Sequence, residues 1–155
     1  MSRQDRTPGR TGGLWTPFVR AKRRVIANNQ SLTNPAAYTV TPNATDRTNL
    51  QLSFRKERGD TRLELTVLGS IYQSSGVAQN VYFGLTPDGG TTTWDVGQIF
   101  LNNNNVHTPI VGTNEVLALA AGTYTIEPIW KSSGASVINW DANNDIVSFS
   151  VVETR

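Results

Sequence analysis

The strongest constraint on this chain is alternation with a period of two. Leu50, Leu52 and Phe54 alternate with polar residues, as do Leu63, Leu65 and Val67, and again Val147, Phe149 and Val151. Successive side chains of a strand point to opposite faces, so such runs describe strands buried on one side and wetted on the other. Tyr124, Ile126 and Trp130 share a face by the same rule. Further β-rich runs cover 77–85, 91–101, 106–111 and 115–119, with Pro109 marking an edge or a bulge. Turn chemistry separates them: Thr86-Pro87-Asp88-Gly89-Gly90, the asparagines of 102–105, and Ala120-Ala121-Gly122. No stretch of the body sustains a 3.6-residue period. About eight strands at these spacings specify an all-β protein, an antiparallel β-sandwich.

A chain of 155 residues suits one domain. At that size roughly 68–70% of the unfolded surface is buried, so neither a disulfide nor a metal is needed to hold a core. There is no cysteine, which excludes disulfide frameworks and thiolate zinc sites. No cofactor and no metal are expected. Apolar runs such as 116–121 fall far short of the roughly 20 residues of a membrane helix, so no membrane partner is expected. The polar, basic N-terminus lacks the apolar region of a secretory signal.

The net charge of +2 is unevenly spread. Residues 1–24 carry Arg3, Arg6, Arg10, Arg20, Lys22, Arg23 and Arg24 against Asp5, a balance of +6; the other 131 residues balance at −4. A basic arm before a mildly acidic body marks an interaction tail. Composition divides the chain into an extended arm and linker, 1–46, rich in Arg, Gly, Pro, Asn and Thr, and a sandwich domain, 47–155. Leu14, Trp15 and Phe18 flank Arg20, Lys22, Arg23 and Arg24, so these seven residues form the candidate partner-binding segment. As a tether, the aromatic residues would fill pockets on a partner while the cations pair with its acids. Stacking on bases with phosphate contacts would instead make the partner a nucleic acid. Packing back onto the body is a third arrangement. The tether is the leading expectation, and nucleic acid is not expected as the partner.

Catalytic patterns are missing, and the chain is not expected to be an enzyme. His107 is the one histidine, and no nucleophile or orienting acid adjoins it, so it reads as a loop or edge-strand residue. Asp88, Asp95, Asp141 and Asp145 lie in or near Gly- or Asn-rich turns, where Asp serves the backbone. Asp141-Ala142-Asn143-Asn144-Asp145 begins like a calcium loop, but Ile146 and Val152 stand where Gly and Glu are required. It reads as a turn between strands. Residues 55–60 (RKERGD) read as a charged hairpin loop with Gly59 suited to positive φ.

From Leu117 to Trp130, and through "AAGTYTIEPIWK", a polar turn and the final "IVSFSVVETR", the chain resembles the C-terminal hairpins of small jelly-roll proteins. These include the tumour-necrosis-factor-like and C1q-like domains and virion proteins of tailed bacteriophages. The resemblance covers roughly residues 115–155, about a quarter of the chain. It implies a jelly-roll-like sandwich, a homotrimer, and a capsid decoration or cement protein. Such a protein is part of a virion assembled in the host cytoplasm, with the major capsid protein or another virion protein as partner. A fibre or spike knob that recognises a glycan or a protein is the alternative, with Tyr72, Tyr82, Trp94, Trp130 and Trp140 as stacking platforms.

Overall fold

The computed structural model describes residues 19–33, 35–117, 119–134 and 137–154. In chain order they form β1 (Val19–Val25), β2 (Gln30–Thr33), β3 (Thr39–Val40), α1 (Ala44–Leu50), β4 (Leu52–Lys56), β5 (Arg62–Gln73), β6 (Gln79–Thr86), β7 (Trp94–Leu101), β8 (Thr108–Val116), β9 (Gly122–Ser132), β10 (Val137–Trp140) and β11 (Ile146–Thr154). The named strands all pair antiparallel, and they make two sheets facing each other across one core, an antiparallel β-sandwich. The first sheet holds β1, β11, β5 and β8, continued by β10 and β2; the second holds β7, β6 and β9, with β3 and β4 both pairing to β9.

The period-two pattern becomes the core. Leu63, Leu65, Val67 and Ile71 of β5 and Val147, Phe149 and Val151 of β11 are buried from one sheet; Val81, Phe83, Leu85, Ile126 and Trp130 meet them from the other. Burying a side chain of this size contributes roughly 1.5–3 kcal/mol. Trp130 and Trp140 pack edge to face at 5.0 Å across the sheets. Where β7 approaches β8, the Phe83 ring lies against Gly97 and Gly112. A Cβ on Gly112 would stand 2.6 Å from the Val96 carbonyl and 2.8 Å from that ring, so glycine sets this close approach.

Both sheets contain an interrupted ladder. Against β5, Tyr72 faces Asn139 and Gly69 faces Val147, so two residues of β5 oppose the seven of 140–146. The surplus is extruded as a loop at 141–145. Against β9, Val40 faces Ile129 and Leu52 faces Ile126, and the intervening 41–51 fold out as α1. Asn43 caps that helix, accepting from the Thr45 and Asp46 amides at 3.0 and 3.1 Å. The buried Asp46 carboxylate accepts from the amides of Ala27 and Asn28 at 2.9 and 3.1 Å and so pins the link between β1 and β2.

Several expectations are corrected. Residues 19–46, grouped with the arm by composition, supply β1, β2, β3 and the start of α1, so strand pairing begins at Val19. Leu50 closes α1 instead of opening a strand. Residues 55–60 are no hairpin loop, because β4 belongs to the second sheet and β5 to the first; the segment crosses between sheets, and Gly59 is not among the positive-φ glycines Gly76, Gly89 and Gly90. The runs at 106–111 and 115–119 merge into the single strand β8, which among the described residues pairs only with β5 and accommodates Pro109 as an edge strand.

Candidate functional site: a basic sheet edge and a histidine clasp

Among the described residues β1 is an edge strand of the first sheet, paired with β11 alone. Its register sets Arg20 opposite Val151, Lys22 opposite Phe149 and Arg24 opposite Val147. Those three β11 residues are core residues, so three of the four cations occupy core-side positions at the rim of the sandwich. Arg20 and Arg24 are nevertheless exposed and Lys22 half-buried, as long stems carrying charge out to water allow. Charge on the inward parity of an edge strand opposes random edge-to-edge pairing. Arg23 falls on the outer face beside the exposed Val25. The structure therefore gathers Arg20, Lys22, Arg23 and Arg24 on one edge. Leu14, Trp15 and Phe18 lie outside the described residues.

A second cluster forms at the 141–145 extrusion. The loop closes on itself: the Asp141 amide donates to Asp145 Oδ2 at 2.7 Å, and the Asp145 amide to the Asp141 carbonyl at 3.1 Å. Asn143 takes φ 63°, which asparagine tolerates. Its amide donates to the Ile26 carbonyl at 2.7 Å, tying the loop to the β1–β2 link. The Asp145 carboxylate is buried, and it also accepts from the Ser70 hydroxyl and faces His107 Nδ1 at 2.8 Å. His107 Nε2 faces Asp141 Oδ2 at 3.2 Å. The imidazole lies 4.8 Å from the Tyr72 ring, whose hydroxyl donates to Asp141 Oδ1 at 2.9 Å. The Asp145 hydrogen bond holds the His107 pKa above its usual value, against partial burial that lowers it; the charges of Asp145 and Asp141 add to the rise. Burial, and then the Asp141 acceptor, push the Tyr72 hydroxyl up.

Serine, histidine and aspartate thus meet, but not in the order that acyl transfer needs. There the imidazole stands between hydroxyl and carboxylate. Here the carboxylate stands between Ser70 and His107, and both ring nitrogens face carboxylates. The arrangement clamps the loop before β8 onto the extrusion before β11. His107 is therefore more than an ordinary loop residue. Its partners are 34 and 38 residues away in sequence, a separation that no local motif reveals.

The remaining candidates disperse. Asp88 caps its own turn, accepting from the Thr92 amide and hydroxyl at 2.7 Å each, and the Thr92 hydroxyl, foremost, holds its carboxyl below the usual range. Trp94, Trp130 and Trp140 are buried and offer no platform. Tyr72 belongs to the clasp, and Tyr82 stands half-buried on the outer face of the second sheet.

No family model matches this chain, and no curated protein matches it. Solved structures do. A chain of infectious bursal disease virus, Gx strain, is similar at 12% identity and a TM-score of 0.43, over 89% of this chain and 38% of that one. The present chain spans less than half the length of that viral protein. Eiger, a tumour necrosis factor of S. frugiperda, is similar at 12% identity and a TM-score of 0.42, over 88% of this chain and 93% of that one. The C-terminal domain of EclA, described as a sugar-binding protein, is similar at 15% identity and a TM-score of 0.32, over 90% of this chain and 86% of that one. These are likenesses of fold.

Proposed function

We propose that the chain is a non-catalytic structural protein of a virion, a trimeric decoration or cement protein that attaches to the assembled shell through its basic N-terminal segment. The observation that carries this reading is the β1 edge. Four cations stand together on a sheet rim, directly after residues 1–18 with their own Arg3, Arg6 and Arg10, while the rest of the chain is net acidic. The resemblance of residues 115–155 to small jelly-roll virion proteins supplies the class of assembly and the trimer. Three such segments on one trimer would make each later contact intramolecular, so weak sites sum to strong avidity. Binding the lattice in preference to free subunits would stabilise the shell.

The test is truncation. Removing residues 1–18 keeps β1 and with it the β11 ladder. We expect the truncated protein to fold and to sediment as a trimer, but to fail to join particles. Two milder variants apportion the effect. Trp15→Ala with Phe18→Ala removes anchors that cost about 2 kcal/mol or more each when buried. Replacing Arg20, Lys22, Arg23 and Arg24 by Gln is expected to do less, because exposed charge is screened at physiological salt. Full occupancy both by the truncated protein and by the truncated protein carrying the four Gln replacements would overturn the reading. Steeply salt-dependent binding of free DNA by the full chain alone would replace it with nucleic-acid binding.

A further inference from the structure

We propose that the outer face of β1, β11, β5 and β8 seats a second copy of this chain, with Arg23 of one copy pairing with the Glu64 and Glu115 carboxylates of the next. The register lays that face out in rows that cross all four strands. One row begins at Arg23 on β1 and ends in Leu68 and Val111 on β5 and β8. Two rows along, another ends in Glu64 and Glu115 on the same two strands. The row between them holds only alanine, serine and threonine. The ionisable side chains of these three rows are therefore a cation at one corner and two carboxylates at the diagonally opposite one.

A sheet face turned permanently to water is polar at its outward positions. Here the outward Val25, Leu68 and Val111 are 50, 44 and 69% exposed, and small hydroxyl residues separate them. Serine, threonine and valine have little rotamer freedom to lose, so covering this face immobilises few long side chains and costs little.

The two corners select the occupant. Arg23 has no carboxylate partner among the described residues. At the acidic corner Arg62 stands 3.7 Å from Glu64 and 3.5 Å from Glu115, so one guanidinium serves two carboxylates and one negative charge is left over. The Thr154 hydroxyl donates to Glu64 at 3.1 Å and adds no charge. A groove of about 630 Å³ opens at this corner, between Glu64, Thr66, Thr113 and Glu115. Strand and residue spacings put Arg23 roughly 17–20 Å from the two carboxylates, too far to reach them within one chain. Between two copies the corners can meet, and Arg62 of one with Arg23 of the other then balances both glutamates. The face thus carries both halves of its own contact. The halves differ, so the contact is head to tail, the kind that closes into a ring. Val25, two residues beyond Arg23, comes with it onto the threonine row beside Leu68 and Val111. The assignment rests on the trimer of the proposed reading and says where its copies meet. Arg20, Lys22 and Arg24, on the core-side parity of β1, stay at the rim for the shell.

Sedimentation of the full chain tests the contact, with circular dichroism as the fold control. Arg23, Glu115 and Val111 are all exposed, so their variants should keep the fold. We expect Arg23→Glu and Glu115→Lys each to weaken self-association about tenfold or more, and the double variant to recover it, because the exchanged charges pair again across the contact. Val111→Asp would bury an unpaired charge in the contact and should leave monomers. Self-association unchanged in Glu115→Lys and Val111→Asp would overturn the site and leave the trimer standing on another surface. A double variant weaker than either single one would overturn the pairing of the two corners. A parent protein that is monomeric at micromolar concentration would overturn the site and the trimer together, and attachment of that monomer to particles would show that the shell-binding part of the proposed reading stands without them.

Discussion

The two ends of the first sheet are each fastened by one buried carboxylate on the same returning segment, and the fastenings differ in kind. At the end where β5 begins, Glu153 of β11 accepts from the amides of Glu57 and Arg58 at 3.3 Å each and from the Thr61 hydroxyl, and stands 3.8 Å from the buried Lys56 ammonium. Lys56 also donates to the Arg58 carbonyl and to the Thr61 hydroxyl. At the other end Asp145 holds Ser70, the Asp141 amide and His107. The Lys56–Glu153 latch is dry and ties the crossover between sheets. The histidine clasp is open to water along one side, with the His107 side chain one-third exposed. Histidine is the side-chain type whose charge changes near neutral pH, and the latch has no such member. One end is thus a fixed fastening and the other a titratable one.

Breaking the latch should have the largest effect. Glu153→Gln or Lys56→Met leaves one buried group of the pair without its counter-charge, and such a change costs about 3–5 kcal/mol. Urea unfolding should show it as a lowered midpoint at unchanged slope. The double replacement Lys56→Met with Glu153→Leu should recover a large part of the loss, since apolar substitutes for a buried pair are often neutral. A Glu153→Gln protein as stable as the parent would show that backbone hydrogen bonds alone fasten this end.

Asp145→Asn should cost less, about 2 kcal/mol, because the amide still accepts from the Asp141 backbone and loses the charge-assisted part of its bonds. Hydrogen exchange should then rise at 105–108 and 141–145 and stay unchanged at 56–61. Equal loosening at both ends would mean that the two carboxylates act on the fold as a whole.

This difference between the ends also marks how far the sequence could be read. β5, β9 and β11 announced themselves, because each buries one face and shows it as period two. The turn at 86–90 was equally plain from its Pro, Asp and Gly. β1 was hidden by its own edge: with Arg20, Lys22 and Arg24 on the core-side parity, the alternation is inverted and mimics a solvated tail. α1 is seven residues long, too short for a helical period to emerge, and only Asn43 followed by Asp46 hinted at its cap. The latch and the clasp were out of reach for another reason. Glu153 and Thr61 are 92 residues apart, and Asp145 and Ser70 are 75 apart, so topology brings them together and no local spacing encodes it. The loop 141–145 did carry a signal, an aspartate at each end of three small or amide residues, and the right inference was a loop that closes on its own carboxylate.

The smallest effect, and the one that separates the two fastenings most sharply, is pH dependence. The folded state holds the His107 proton more tightly than the unfolded chain, first through the Asp145 hydrogen bond and then through the charges of Asp145 and Asp141. The unfolded imidazole titrates near about 6.5. The contribution of the clasp is therefore complete below that pH and fades as pH climbs through the higher folded value. His107→Gln keeps a hydrogen-bonding side chain without a titrating group. The stability gap between parent and His107→Gln, followed by urea midpoint, should be widest on the acidic side of about pH 6.5 and narrow steadily above it. The groups facing the imidazole are Asp141, Asp145, Asn144 and Tyr72, and none of them is of a type that ordinarily titrates between about pH 6 and 8. The difference curve therefore isolates His107. Added salt should shrink the gap, because one side of the ring is wet and its charge is screened. The same series run on the latch should show a loss for Glu153→Gln that does not follow this curve, since that end contains no histidine. A gap that widened with rising pH would mean that the folded state prefers the neutral imidazole, and the clasp would then be a hydrogen bond of the neutral ring instead of an ion pair.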